Sequence, residues 1–160
     1  MNIWEKKVVL VAVDKVKIEN QEEMYSRIQN ILSIIEIKHG PRLEFWITNF
    51  GLLSLLVVKA CREAQKTNRN ISVYFVPLEK NFSVRKTQLE YVDHIKIPDF
   101  EVLNGHKWGN WSAYNFAATV WALKEAKVAI TYFKDYNSLM WVLLNDDHNI
   151  DKIVLGGKNV

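Results

Sequence analysis

The sequence alternates short runs of apolar, β-branched residues with longer stretches of helical periodicity. The first run, residues 8–13, is apolar without alternation, which is typical of a strand covered by helices on both faces. Asn20 then has N-cap chemistry with Glu23 three residues on, and Gly40 ends the helical pattern that follows. Repeated alternation of this kind predicts parallel βαβ units. We therefore expect an α/β fold of Rossmann-like type: one doubly wound, mostly parallel sheet with helices on both faces.

The same patterns predict the individual elements. Strands are predicted at residues 8–13, 43–48, 71–76, 92–97, 128–133 and 153–155. Helices are predicted from Asn20 to about residue 39, at 52–66, from Ser112 to about residue 126, and from Ser138 to residue 144. Residues 99–111 are predicted to form a long loop, and residues 78–90 are polar and poorly patterned. In the third helix, we expect the side chains of Phe116, Val120, Trp121 and Leu123 to point largely inward.

Composition limits the class of protein. The 160 residues suit a single domain, with 49% apolar and 24% charged residues, which excludes disordered and collagen-like chains. The net charge is only +3, and the basic residues are scattered along the chain, which argues against nucleic acid as a partner. The first apolar run is too short to span a bilayer, so no membrane association is expected. A lone cysteine, Cys61, excludes an intrachain disulfide and favours a reducing, cytoplasmic location.

Ligands of open parallel sheets bind outside the carboxyl ends of the strands. Asp14 follows the first predicted strand, where a carboxylate can act as a base or contact a ribose, or can simply cap a turn. Asn49 and Gly51 follow the second strand and suit either a ligand loop or an ordinary turn. Phosphate cradles need several glycines, and only Gly51 is present, so no cofactor is predicted.

The four histidines have no paired spacing, and one cysteine cannot complete a zinc site, so no metal is expected.

Residues 105–115 contain Trp108 and Trp111, which could stack a base, anchor a partner protein, or fold over the sheet edge as additional core. The first turns of the second helix, residues 52–58, are apolar nearly all round. Such a helix is either deeply buried or shared with a partner subunit.

Two further features of the sequence are the loop Thr48-Asn49-Phe50-Gly51-Leu52-Leu53-Ser54 after the second strand and Trp121 in the third helix. With these residues and this order of elements, the chain resembles the YpsA-like branch of the SLOG superfamily, a Rossmannoid group that includes cytokinin-activating phosphoribohydrolases and the DNA-processing protein DprA. The loop is similar to the family's Gly-Asn-x-Gly-x-x-Asp, and Trp121 matches the tryptophan of the family's Arg-Asn-Arg-Trp-Met. Both arginines of that motif are replaced here, by Ala118 and Val120, which removes bidentate phosphate contacts. The resemblance implies a Rossmann-like fold, self-association and a degraded nucleotide site.

Three functions are compatible with the sequence. The first is a non-catalytic, SLOG-like domain that acts through protein–protein contacts, as a homo-oligomer. The second is a domain that binds or processes a nucleotide or nucleotide derivative by N-glycosidic chemistry. Its pocket would be rebuilt around five residues: Asp14, Asn49, Gly51, Tyr114 and Asn115. The third is a phage or mobile-element protein that sequesters a host component.

Overall fold

The chain folds around a six-stranded parallel sheet. We analysed a computed structural model that describes residues 4–98, 107–108 and 111–160, without the side chains of residues 107–112. In chain order the elements are β1 (Lys7–Val13), α1 (Gln21–His39), β2 (Leu43–Ile47), α2 (Leu52–Gln65), β3 (Ile71–Phe75), α3 (Lys86–Leu89), β4 (His94–Ile95), β5 (Lys107–Trp108), β6 (Trp111–Ser112), α4 (Ala113–Glu125), β7 (Ala126–Phe133), α5 (Leu139–Asn145) and β8 (Asp151–Gly157).

The strand order is β4-β3-β2-β1-β7-β8, and every neighbouring pair is parallel. The chain runs outward from β1 through β2 and β3 to β4, and then returns to place β7 on the other side of β1. The order therefore reverses between β1 and β7, which is the point where open α/β sheets bind ligands. This is a Rossmann-like α/β fold, as the sequence predicted.

Two cores lie on opposite faces of the sheet. Odd-numbered residues of β1, such as Val9 and Val11, pack in the core that contains the buried faces of α1 and α2. Even-numbered residues, such as Leu10, pack in the second core with α4 and α5. Because both faces are covered, all seven residues of β1 are buried. This double coverage explains the continuous apolar run that predicted the strand.

The helix ends follow the predicted cap chemistry. The Asn20 side chain accepts a hydrogen bond from the Glu23 backbone N–H at 3.0 Å and begins α1. Gly40, at φ 96°, ends α1 by donating its N–H to the Glu36 carbonyl. Ser138 accepts from the Trp141 backbone N–H and begins α5.

The region between β3 and α4 differs from the prediction. The fourth strand was expected at 92–97 but has only two residues, because the Asp93 side chain accepts the Val73 N–H at 2.8 Å in place of a backbone partner. Residues 78–90 contain the single turn α3, which depends on the Gln88 side chain accepting the Arg85 backbone N–H. The predicted loop at 99–111 lies largely outside the described residues, although β5 and β6 form an antiparallel pair there.

Two helices place their apolar residues differently from each other. The apolar start of α2 lies inside the chain's own core, with Leu53 and Val57 fully buried, so its composition is explained without a partner subunit. In α4, Leu123 is buried as predicted. The inward prediction for Val120 is wrong, since that side chain is 39% exposed, and Phe116 and Trp121 are only partly buried.

No helix in the described part of the chain combines the length and the apolar character needed to cross a membrane.

Candidate functional site

Asp14 lies at the carboxyl end of β1, directly at the point where the strand order reverses. Its backbone N–H donates to the Tyr132 carbonyl at 2.8 Å, which continues the β1–β7 ladder by one residue. Its carboxylate Oδ2 accepts the backbone N–H of Lys134 at 2.9 Å. The side chain therefore bridges the two strands across the crevice in which a Rossmann-like fold would hold a ligand.

Asn49 connects the end of β1 to the start of α2. Its Nδ2 donates to the Val13 carbonyl at 2.9 Å. Its Oδ1 accepts from the Gly51 backbone N–H at 2.8 Å and from the Ser54 hydroxyl at 3.1 Å. With one donor and both acceptor positions of the amide oxygen in use, this side chain has little remaining capacity for a ligand.

Gly51 permits a close approach between two loops. A Cβ atom at this position would lie 2.8 Å from Lys15 Cγ and 3.0 Å from Asn49 Oδ1, which is too close for an unstrained contact. The glycine that resembles a family ligand position therefore has a packing role in this chain.

Tyr114 and Asn115 lie on α4, on the opposite side of the sheet from α2. Asn115 Nδ2 donates to the Leu78 carbonyl at 3.2 Å and ties α4 to the segment after β3. Burial raises the pKa of Tyr114 above its usual value. The five predicted ligand residues thus form two groups, one at the β1 and β2 ends and one beside β3. The indoles of Trp108 and Trp111 lie outside the described side chains.

A groove of about 460 Å³ opens beside the Asp14 crevice, on the α1 face of the sheet. It is formed by the loop between β1 and α1, the first two turns of α1, and one side chain of β7. Its lining residues are Lys17, Ile18, Glu19, Asn20, Glu23, Met24, Arg27 and Tyr132. None of the five predicted ligand residues is among them.

The sequence contained a signal for this groove. The loop Lys15-Val16-Lys17-Ile18-Glu19 alternates charged and apolar residues between a buried strand and a helix N-cap. When charged and apolar residues alternate in a loop at the carboxyl edge of the sheet, the apolar side chains pack against the sheet and the charged side chains surround them. Asp14 is the first polar group after β1, and its position at the strand end is therefore the more obvious signal in the sequence.

The described residues contain no cluster of three or more His, Cys, Asp or Glu side chains suited to a metal. His39 Nε2 lies 3.0 Å from Asp151 Oδ2, which also accepts from Lys38 Nζ at 2.8 Å, so this histidine belongs to a hydrogen-bond network on the surface of the fold. Cys61 is fully buried, and burial raises the pKa of its thiol far above the usual value, which makes it a poor nucleophile.

A buried carboxylate on the other face of the sheet has a structural role. Glu44 of β2 is 1% exposed; its Oε1 accepts the Trp46 indole N–H at 2.8 Å, and its Oε2 pairs with Lys6 Nζ at 2.8 Å. Trp46 in turn stacks on Trp121 of α4, with ring centroids 5.0 Å apart. Neutralising and hydrogen-bonding the buried carboxylate in this way offsets its desolvation cost.

No protein-family model matches the chain, and no curated protein matches it. Among solved structures, the chain is similar to an X-ray structure of a protein designated TM1055, determined by a structural genomics consortium. The two share 14% sequence identity with a TM-score of 0.49, over 87% of this chain and 67% of that one. A likeness of this degree says nothing about a site or an activity.

Proposed function

We propose that the protein is a non-catalytic, Rossmann-like domain that acts through protein–protein contacts, as a homo-oligomer in the cytoplasm. In this proposal it is a divergent relative of the YpsA-like SLOG proteins whose ligand positions have taken structural roles. The observation that supports it most directly is the set of hydrogen bonds made by the Asp14 and Asn49 side chains. Both side chains at the ligand edge bond to the chain's own backbone, at Lys134 N and Val13 O.

The proposed contact surface is the outer side of α4 and α5, which pack against each other. We call it the α4–α5 face. Residues 113–123 of α4 and all of α5 contain no charged side chain. The half-buried or exposed apolar side chains of these helices are Phe116, Ala117, Val120, Trp121, Met140, Trp141, Val142 and Leu143. Trp121, Met140, Trp141 and Leu143 also pack against the second core.

A second copy of the chain is the partner that suits this face best. Homodimer interfaces are more apolar than other interfaces, and a two-fold axis brings the same patch of both subunits together. The face has no charges with which to select a different, complementary surface. A stable dimer would need to bury about 800 Å² per subunit, which two adjacent helices can supply.

The test compares the oligomeric state of two variants by native mass spectrometry and light scattering. We expect the wild type to be oligomeric at micromolar concentration and Val120→Asp to be monomeric, because the substitution buries a charge in the interface. Ile37→Asp is the matched control, since Ile37 is an 86% exposed apolar residue of α1, on the other side of the sheet. A monomeric wild type, or a loss of oligomer in the control alone, would contradict the proposal.

A second candidate function is binding or N-glycosidic processing of a nucleotide derivative around Asp14, Asn49, Gly51, Tyr114 and Asn115. The observation in its favour is the position of Asp14 at the carboxyl end of β1, beside the reversal of strand order where this fold class binds ligands. A nucleotide panel in a thermal-shift assay tests it. Stabilisation by a nucleotide that is lost in Asp14→Ala would support this function, and no stabilisation of the wild type would exclude it.

A further inference from the structure

The groove beside β1 has a floor that the fold builds around Tyr132. Thr131 pairs with Val154, but Tyr132 pairs with Gly156, so Leu155 is an extra residue in β8 and forms a bulge. A Cβ atom at Gly156 would lie 2.7 Å from Tyr132 Cε2, so the ring lies against bare backbone. Bulges commonly re-aim a side chain next to a functional site.

The same bulge also holds the guanidinium of Arg27, which lines the groove. Arg27 Nη1 donates to the Leu155 carbonyl at 2.6 Å. This bond anchors the guanidinium to β8 in the groove that Tyr132 also lines, and no other hydrogen bond of the guanidinium occurs within the described ranges. Arg27 therefore has donors left for an anionic group, and its position is set by the backbone of β8.

The charges around the groove are balanced. Lys17 and Arg27 are cationic, while Glu19 and Glu23 are anionic. In the part of the chain that the structure describes, Lys17 and Glu19 make no ion pair with each other or with another residue. A phosphorylated nucleotide carries about two negative charges and would face both carboxylates, which disfavours it. A molecule with one positive and one negative group would satisfy both kinds of side chain.

Besides the charged residues and Asn20, three residues with apolar surface line the groove: Ile18, Met24 and Tyr132. Ile18 and Met24 are partly buried against the core, and the Tyr132 ring forms the floor between them and β8. Small-molecule sites commonly have volumes of roughly 300–1,000 Å³. The groove, at about 460 Å³, lies within this range.

We propose that this groove binds a free amino acid with an apolar or aromatic side chain. Arg27 receives the carboxylate, Glu19 and Glu23 receive the ammonium group, and the side chain of the ligand lies on Tyr132. The proposal goes beyond the oligomeric function above and uses the opposite face of the sheet. It can therefore fail without affecting that function.

The test titrates the protein with L-phenylalanine and with two analogues that each lack one charge, 3-phenylpropionate and phenethylamine. Calorimetry and ligand-observed NMR measure the affinities. We expect phenylalanine to bind at least about tenfold more tightly than either analogue, and more tightly than adenosine monophosphate. This follows because each charge-assisted hydrogen bond changes affinity by about ten- to a hundredfold.

Variants separate the two ends of the ligand. Arg27→Gln should weaken binding of phenylalanine and of 3-phenylpropionate by about tenfold or more. Glu19→Gln should weaken phenylalanine and phenethylamine, which carry the ammonium group, and leave 3-phenylpropionate unchanged. Because Glu19 is exposed and unpaired among the described residues, this variant should fold normally. Lys124→Gln, on the exposed side of α4, is the control and should change neither affinity. No binding of phenylalanine at millimolar concentration, tighter binding of adenosine monophosphate, or an unchanged affinity in Glu19→Gln would overturn the proposal.

Discussion

Replacing Asn49 by alanine should destabilise the protein with no ligand present. The substitution removes three hydrogen bonds and leaves the Val13 carbonyl and the Ser54 hydroxyl without this partner. Both residues are almost completely buried, at 3% and 0% exposure, so water cannot easily replace the amide. Net hydrogen bonds contribute about 1 kcal/mol each, and an unsatisfied buried group costs about 1–3 kcal/mol. We therefore expect the free energy of unfolding to fall by about 2–4 kcal/mol.

Urea denaturation followed by circular dichroism measures this loss. For a chain of this size the expected change corresponds to a decrease in Tm of roughly 4–16 °C. Asn49→Asp keeps the acceptor oxygen but places a carboxylate beside the Val13 carbonyl, and it should also be destabilised. Asn137→Ala is the matched control, because Asn137 is exposed and its side chain makes no hydrogen bond within the described residues.

A decrease below about 0.5 kcal/mol in Asn49→Ala, or an equal decrease in the Asn137→Ala control, would refute the structural role assigned to Asn49. In that case the three hydrogen bonds would not be important for the fold, and the residue would again be a candidate for ligand binding.

Two further predictions concern the β8 strand. Gly157→Ala should lower the free energy of unfolding, measured in urea, by at least about 2 kcal/mol. The reason is that Gly157 has φ +72° and that a Cβ atom there would overlap the Phe133 carbonyl. Wild-type stability in this variant would contradict that geometry. The Lys38 and His39 hydrogen bonds hold the pKa of Asp151 below its usual range, so its stabilising effect is present above about pH 4 and is lost as pH falls through the lowered pKa. The free energy of unfolding of Asp151→Asn should therefore be lower than that of the wild type near pH 7, by up to about 1 kcal/mol for a partly exposed pair. This difference should shrink in acid. A difference that stays constant from pH 7 to pH 2 would show that the pair does not titrate as described.

Much of the fold could be predicted because its signals are local. The apolar run of β1, the cap residues Asn20 and Ser138, and Gly40 each act within a few residues of where they stand. The long helix α1 was correct at both ends for this reason. The short strand β4 was predicted too long because its pairing depends on Asp93 reaching Val73, a contact twenty residues away in sequence.

The candidate site was less predictable. Asp14 and Asn49 were singled out because they follow strands, and the sequence cannot show whether a polar side chain at a strand end faces a ligand or the backbone of the next strand. Tyr132 could not be identified from the sequence, because its position depends on a bulge in a different strand, opposite Gly156. A bulge is a product of pairing between strands and has no local sequence pattern.

The sequence by itself determined the class of fold, since hydrophobic periodicity and cap residues encode which segments become strands and helices and which sides they bury. The tertiary structure decided how polar groups are used. It assigned Asp14 and Asn49 to the backbone, buried α2 within the chain, exposed Val120 of α4, and placed Arg27 beside Tyr132. The physical reason is that hydrogen bonding and burial depend on distances between residues far apart in sequence, which are fixed only when the sheet and its helices pack together.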